Sequence, residues 1–184
     1  EDIDLGYRIG AAGYRILLDP RIEGQHLKRW TLRSAVVSDI RDRGVPWTQL
    51  LRRYGGLHDD LNLTLKYRVS VVVAYMLTLC LLLAARWPAL FVIVVAPVVA
   101  LWWLDRSYYE FFARQRGIPF TVAWFPLHVL HHLSNGLSFI IGNALYASRR
   151  WFGLALPGAL PLDPWPGVPP VGSAENTSSG VSAR

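Results

Sequence analysis

The residues of this sequence whose types and spacing could do chemistry form two groups at opposite ends of the chain. Glu1 and Asp2 come first, with Asp4 and Arg8 close behind. Carboxylates at a helix start face exposed amides and the positive end of the macrodipole, which keep them ionised. A carboxylate held ionised on a rigid element can act as a general base or bind a hard cation. The same pair is also an ordinary acidic first turn. The second group is His128, His131 and His132, followed by Ser134 and Asn135. At i, i+3 and i+4 these imidazoles share a helical face and could ligate a metal or haem. A redox site would call for partner histidines on another apolar stretch, and the two preceding stretches contain none. Packing, hydrogen bonding between helices or lining of an acceptor path is therefore the expected role, with a metal or haem site as the alternative.

Several elements must position these groups. Leu5, Ile9 and Ala12 recur at helical spacing and Gly13 is placed to end the helix. A strand-like run at 14–18 follows, stopped by Pro20, with a second run around 22–26. Thr31 can cap a helix carrying Leu32, Val36 and Ile40, which should end near Gly44-Val45-Pro46. A further helix at 47–54 should stop at Gly55-Gly56. Arginines, Lys66 and tryptophan flank these apolar faces, so residues 31–66 read as amphipathic interfacial helices.

Beyond them lie three apolar stretches, 67–85, 89–104 and 118–147, each read as a transmembrane helix in a region spanning 67–148. Arg86-Trp87-Pro88 makes the first two a hairpin, and 105–117 reads as an interfacial return. Residues 149–184, rich in Pro, Gly and Ser, read as a disordered tail. At 52% hydrophobic over 184 residues, the chain is too apolar for an ordinary soluble domain. Its net charge of +6 then points to an anionic membrane surface rather than nucleic acid. Cys80 is the only cysteine, which excludes a disulfide within the chain. Basic residues crowd 1–66 and 105–117, which places those segments on the cytoplasmic side. With no initiating Met, the chain is expected to be a piece of a longer protein.

Taken in order, these segments resemble the end of the catalytic domain of membrane-bound, processive-type family 2 glycosyltransferases. The ED-x-D-L-x-x-R element is matched by Glu1, Asp2, Asp4, Leu5 and Arg8. A following G-(Y/F)-(R/K)-I…P element is matched by Gly13, Tyr14, Arg15, Ile16 and Pro20. The Q-x-x-R-W element is similar to His26-Leu27-Lys28-Arg29-Trp30, with His26 in place of Gln. Arg116-Gly117, Pro126-Leu127-His128 and Asn135-Gly136-Leu137 resemble the family's last span.

The resemblance implies a fold and an activity. Residues 1–30 would be the C-terminal remnant of an α/β Rossmann-like GT-A catalytic domain, followed by about three transmembrane helices. The implied reaction is inverting transfer of a sugar from a nucleotide-sugar donor to a lipid-linked or polysaccharide acceptor. In it Asp2 would be the base and Glu1 its orienting neighbour. His26, Arg29, Trp30 and Arg8 would bind substrate. The site would face the cytoplasm at a bacterial-type inner membrane. A divalent cation, Mg or Mn, is implied for the complete enzyme through an Asp-rich motif that these residues do not contain, and none is expected to be held by this chain alone. Two other classes stay open: a non-catalytic membrane anchor or assembly module, and a haem- or metal-binding membrane subunit built on His128, His131 and His132.

Overall fold

A computed structural model describes residues 2–17, 19, 21–25, 27, 29–53 and 64–162. The first helix, α1, runs Asp2–Ala11. It ends as its glycine signals: Gly13 takes φ +82°, its N–H reaches Gly10 O at 3.0 Å and the Tyr14 N–H reaches Ile9 O at 3.1 Å. These two bonds satisfy carbonyls that the last turn would otherwise leave open.

The α/β expectation fails after that point. No strand occurs among the described residues, and the run at 14–17 is irregular. Tyr14, Ile16 and Leu17 are 73%, 66% and 81% exposed, so the run has no apolar face against which to settle. A strand exists only through a neighbour that takes its amides and carbonyls, and no such neighbour is among the described residues. Residues 1–30 are therefore not a remnant of a Rossmann-like sheet.

Thr31 opens the next helix by reciprocal capping. Its Oγ1 accepts the Ser34 N–H at 3.1 Å while Ser34 Oγ accepts the Thr31 N–H at 2.9 Å. Helix α2, Leu32–Val37, does not stop at Gly44. A π-helical turn, Ser38–Gly44, carries the chain directly into α3, Val45–Arg53, and the Val45 N–H bonds back to Ile40 O just ahead of Pro46.

Helix α4, Leu65–Arg86, is the one helix among the described residues long and apolar enough to cross a bilayer unaided. Trp87 and a 3-10 turn, Pro88–Leu90, lead into α5, Phe91–Leu104, and then α6, Arg106–Arg116. The chain bends by 77° between 88–104 and 106–116, so this pair adds at most one further crossing. At 14 residues α5 extends only about 21 Å, well short of a hydrocarbon core of ~30 Å. The last helix, α7, Ile118–Phe152, has ample length at 35 residues. Its three histidines, Ser134 and Asn135 dilute its apolar character, and it does not qualify as a span. The expected three transmembrane helices thus reduce to one, or two if the bent pair counts as a single crossing.

Ala74 and Leu77 of α4 and Leu101 of α5 form a buried core, packed over by Phe125, Val129 and Leu133 of α7. Along α7 a stripe of small buried residues, Ser134, Ser138 and Gly142, recurs every fourth position. It lets α7 approach the α2–α3 unit closely: a Cβ at Gly142 would lie 2.6 Å from Thr48 Cβ. After α7, Gly153 takes the left-handed conformation at φ +66° and the chain turns back. Gln49, 2% exposed, then pins 158–160 onto α3, its Nε2 donating to Gly158 O at 2.9 Å and its Oε1 accepting the Leu160 N–H at 2.7 Å. Of the stretch read as tail, 149–152 complete α7 and 158–161 dock back onto the helices; 163–184 lie outside the described residues.

Candidate metal centre

The bend between α5 and α6 falls at Asp105, 1% exposed. Its backbone holds the corner: the Asp105 N–H reaches Leu101 O at 3.0 Å, and its carbonyl accepts the Tyr108 and Tyr109 N–H groups at 2.9 and 3.2 Å. The carboxylate is thereby aimed inward at α7. There His128 and His132, four residues apart and 6% and 2% exposed, present their rings to it. His132 Nε2 lies 3.2 Å from Asp105 Oδ2, and the two imidazole centroids are 4.5 Å apart. Asp105, His128 and His132 form a buried group that could hold a metal ion, their ligand atoms all lying within 4.8 Å of one another.

Neighbouring side chains fix this geometry. Tyr109 Oη is 2.7 Å from His128 Nδ1, and the Tyr109 ring stacks on Trp102 at 4.3 Å between centroids, with 7° between planes. Tyr108 stacks on the His128 ring at 4.8 Å. Lys66 Nζ stands 3.8 Å from Asp105 Oδ1, the nearest cationic side chain to that oxygen. Among the described residues, Asp105 Oδ1 and His132 Nδ1 are buried without a hydrogen-bond partner. An unmet buried polar atom costs ~1–3 kcal/mol, a cost that the Lys66 ammonium offsets in part at Asp105 Oδ1.

All three residues line a cleft of about 630 Å³ between α3, α4, α6 and α7. Its lining mixes apolar side chains, Val71, Val72, Phe111 and Phe139 among them, with Lys66 and the three histidines. His131 lines the cleft from a different network: its Nδ1 is 3.0 Å from Asp39 Oδ2 and its Nε2 is 3.1 Å from the Asn135 amide. Of the three histidines that share a helical face in the sequence, two converge on Asp105 and the third does not.

The N-terminal candidates fare differently. Glu1 and His26 lie outside the described residues, and of Asp2 only the backbone, in the first turn of α1, is described. Arg8 Nε lies 3.5 Å from Asp4 Oδ2, and Asp4 also reaches Arg53 of α3 at 4.0 Å. Arg29 and Trp30 are exposed ahead of α2. None of Arg8, Arg29 and Trp30 lines the cleft.

Sequence reasoning missed Asp105, Tyr109 and Lys66. Its one usable signal was an aspartate set directly after the apolar run ending Trp102-Trp103-Leu104, which reads as the start of a solvated connection until the bend is seen. The absence of partner histidines in the earlier apolar stretches argued against a metal site; the partner is a carboxylate, at a helix junction. No protein-family model, curated protein or solved structure matches this chain.

Proposed function

We propose that this chain is the membrane-associated part of an inverting glycosyltransferase, with Asp2 as the general base. The observation that carries this reading is the Asp4–Arg53 contact. It ties α1, which begins with the Glu1-Asp2-x-Asp4-Leu5-x-x-Arg8 series, to α3, a wall of the cleft. Val71, Val72, Phe111 and Phe139 in the lining of that cleft suit the apolar chain of an acceptor. That amphipathic lining favours a lipid-linked acceptor over a free polysaccharide. The outer faces of α4 and α5 expose Met76, Leu79, Leu82, Val95 and Val99, which suits lipid contact.

In this mechanism the acceptor oxygen forms a bond to the anomeric carbon as the carbon–oxygen bond to the nucleoside diphosphate breaks. The leaving group departs with the bonding pair, and the acceptor proton passes to the Asp2 carboxylate. Proton loss is concerted with attack, so a carboxylate is basic enough. Glu1 orients Asp2, His26 and Arg29 offset charge on the diphosphate, Arg8 supports the acidic turn through Asp4, and Trp30 stacks on a sugar ring. The Mg or Mn ion that such a reaction uses belongs with oxygen ligands beside the diphosphate; the nitrogen-rich Asp105–His128–His132 group does not suit it. In an enzyme that includes this chain, Asp2→Asn should lower transfer by ~10²–10⁴ with nucleotide-sugar binding nearly intact. Retention of most turnover would remove Asp2 from the mechanism.

A further inference from the structure

We propose that Asp105, His128 and His132 bind one divalent ion of the later first-row transition metals, iron to zinc, with an open coordination position toward the cleft. The site stands independently of the glycosyltransferase reading. Two imidazoles and one carboxylate suit zinc, iron, copper or nickel, whereas magnesium, calcium and manganese prefer oxygen. The two histidines lie one turn apart on one face of α7, and the carboxylate comes from the α5–α6 corner, so the donors approach from different directions.

The spacing fits an ion. Two tetrahedral ligands, each about 2.0–2.2 Å from zinc, are separated by ~3.3–3.5 Å. His132 Nε2 and Asp105 Oδ2 are already 3.2 Å apart. His128 needs a small ring movement, since the widest separation in the group is within 4.8 Å. The contact around His128 is the kind that orients a ligand: with its Nδ1–H donating to Tyr109 Oη at 2.7 Å, Nε2 keeps the lone pair. Because all three residues line the cleft, an ion held there can meet whatever occupies it.

The competing explanation is a buried Lys66–Asp105–His132 charge network that needs no metal. Lys66 separates the two. Its side chain is 40% exposed and can swing toward the cleft mouth. In a metal site it is a rival cation, so Lys66→Met should tighten metal binding. In a bare network the same change removes an ion-pair partner and confers no affinity.

The test uses the chain purified in detergent without a polyhistidine tag, first for metal content, then stripped with chelator and titrated with Zn(II), Co(II) and, without oxygen, Fe(II). One ion per chain is expected, with visible Co(II) bands of a low-coordinate nitrogen–oxygen site. Asp105→Asn and His132→Gln should each weaken binding at least ~10-fold, and Tyr109→Phe by about 10- to 100-fold. His131→Gln should leave binding unchanged and Lys66→Met should strengthen it. Retention of zinc or of iron tells which ion is native, and either supports the site. The proposal is overturned by the absence of saturable binding, by retention of magnesium or manganese alone, or by Asp105→Asn and His132→Gln variants of native helicity that bind as the parent does.

Discussion

Gly142→Ala probes the close crossing of α7 over α3 with a single methyl group. An added Cβ would sit 2.6 Å from Thr48 Cβ, 2.9 Å from Thr48 Cγ2 and 2.9 Å from the Val45 carbonyl oxygen. Ordinary carbon contacts lie at ~3.5–4.0 Å, so α7 and α3 must part by about 1 Å. The opposing atoms are a backbone oxygen and the base of a β-branched side chain, neither of which can swing aside. Thr48 is further held by its Oγ1–H donating to Gly44 O at 2.8 Å. Overpacking of this kind costs ~1–3 kcal/mol, while alanine regains ~0.8–1 kcal/mol of helix propensity over glycine. Three contacts below 3.0 Å put the overpacking in the upper part of that range, so the net is a loss of about 1–2 kcal/mol, or ~2–8 °C in melting temperature for a chain of this size. Gly10→Ala is the matched control: Gly10 lies in α1 with nothing within 4 Å of an added Cβ, so only the propensity gain applies. Far-UV circular dichroism melts in detergent measure both. A Gly142→Ala melting point equal to or above the parent's would mean that α7 does not cross α3 at this distance. Gly136→Ala should be milder, because the ring it would meet is the far end of Tyr75.

Two further outcomes follow from features described above. Gln49→Leu removes both bonds to the 158–160 segment, each worth about 0.5–1.5 kcal/mol net; limited proteolysis should then cut between 153 and 162 where the parent resists, and equal resistance would show that Gln49 does not hold the segment. If α4 crosses the membrane with its basic N-terminal side in the cytoplasm, a cysteine placed at Trp87 in a Cys80→Ser background should react with an impermeant thiol reagent in intact cells. Reaction only after permeabilisation would reverse that orientation.

What the sequence made legible was local. Gly13 ending α1 and Thr31 capping α2 are decided within a few residues of themselves, and both are found. The strand at 14–18 was not legible, because a strand is a property of two segments and the apolar alternation of one says nothing about a missing partner. The span count failed for a related reason. Window hydropathy sees neither the 77° bend at Asp105 nor the small-residue seam that seats α7 against its neighbours. The metal centre was half legible: His128 and His132 share a helical face by spacing alone, whereas Asp105 joins them only through the fold, 23 and 27 positions away in sequence. His131 has the same type and nearly the same spacing, and only the position of Asp39 on the π-helical turn separates its role from theirs.

The corner at Asp105 makes one carboxylate the pivot of a lever. Helix α6, with 11 residues, is an arm of about 16 Å hinged where that carboxylate meets α7. Turning the arm by about 10° sweeps its far end through ~3 Å at that length, and Tyr108 and Phe111, which line the cleft, ride on it. Whatever takes hold of Asp105, whether the ammonium of Lys66, the ring of His132 or an ion shared with His128, therefore acts at the corner from which Tyr108 and Phe111 reach the cleft.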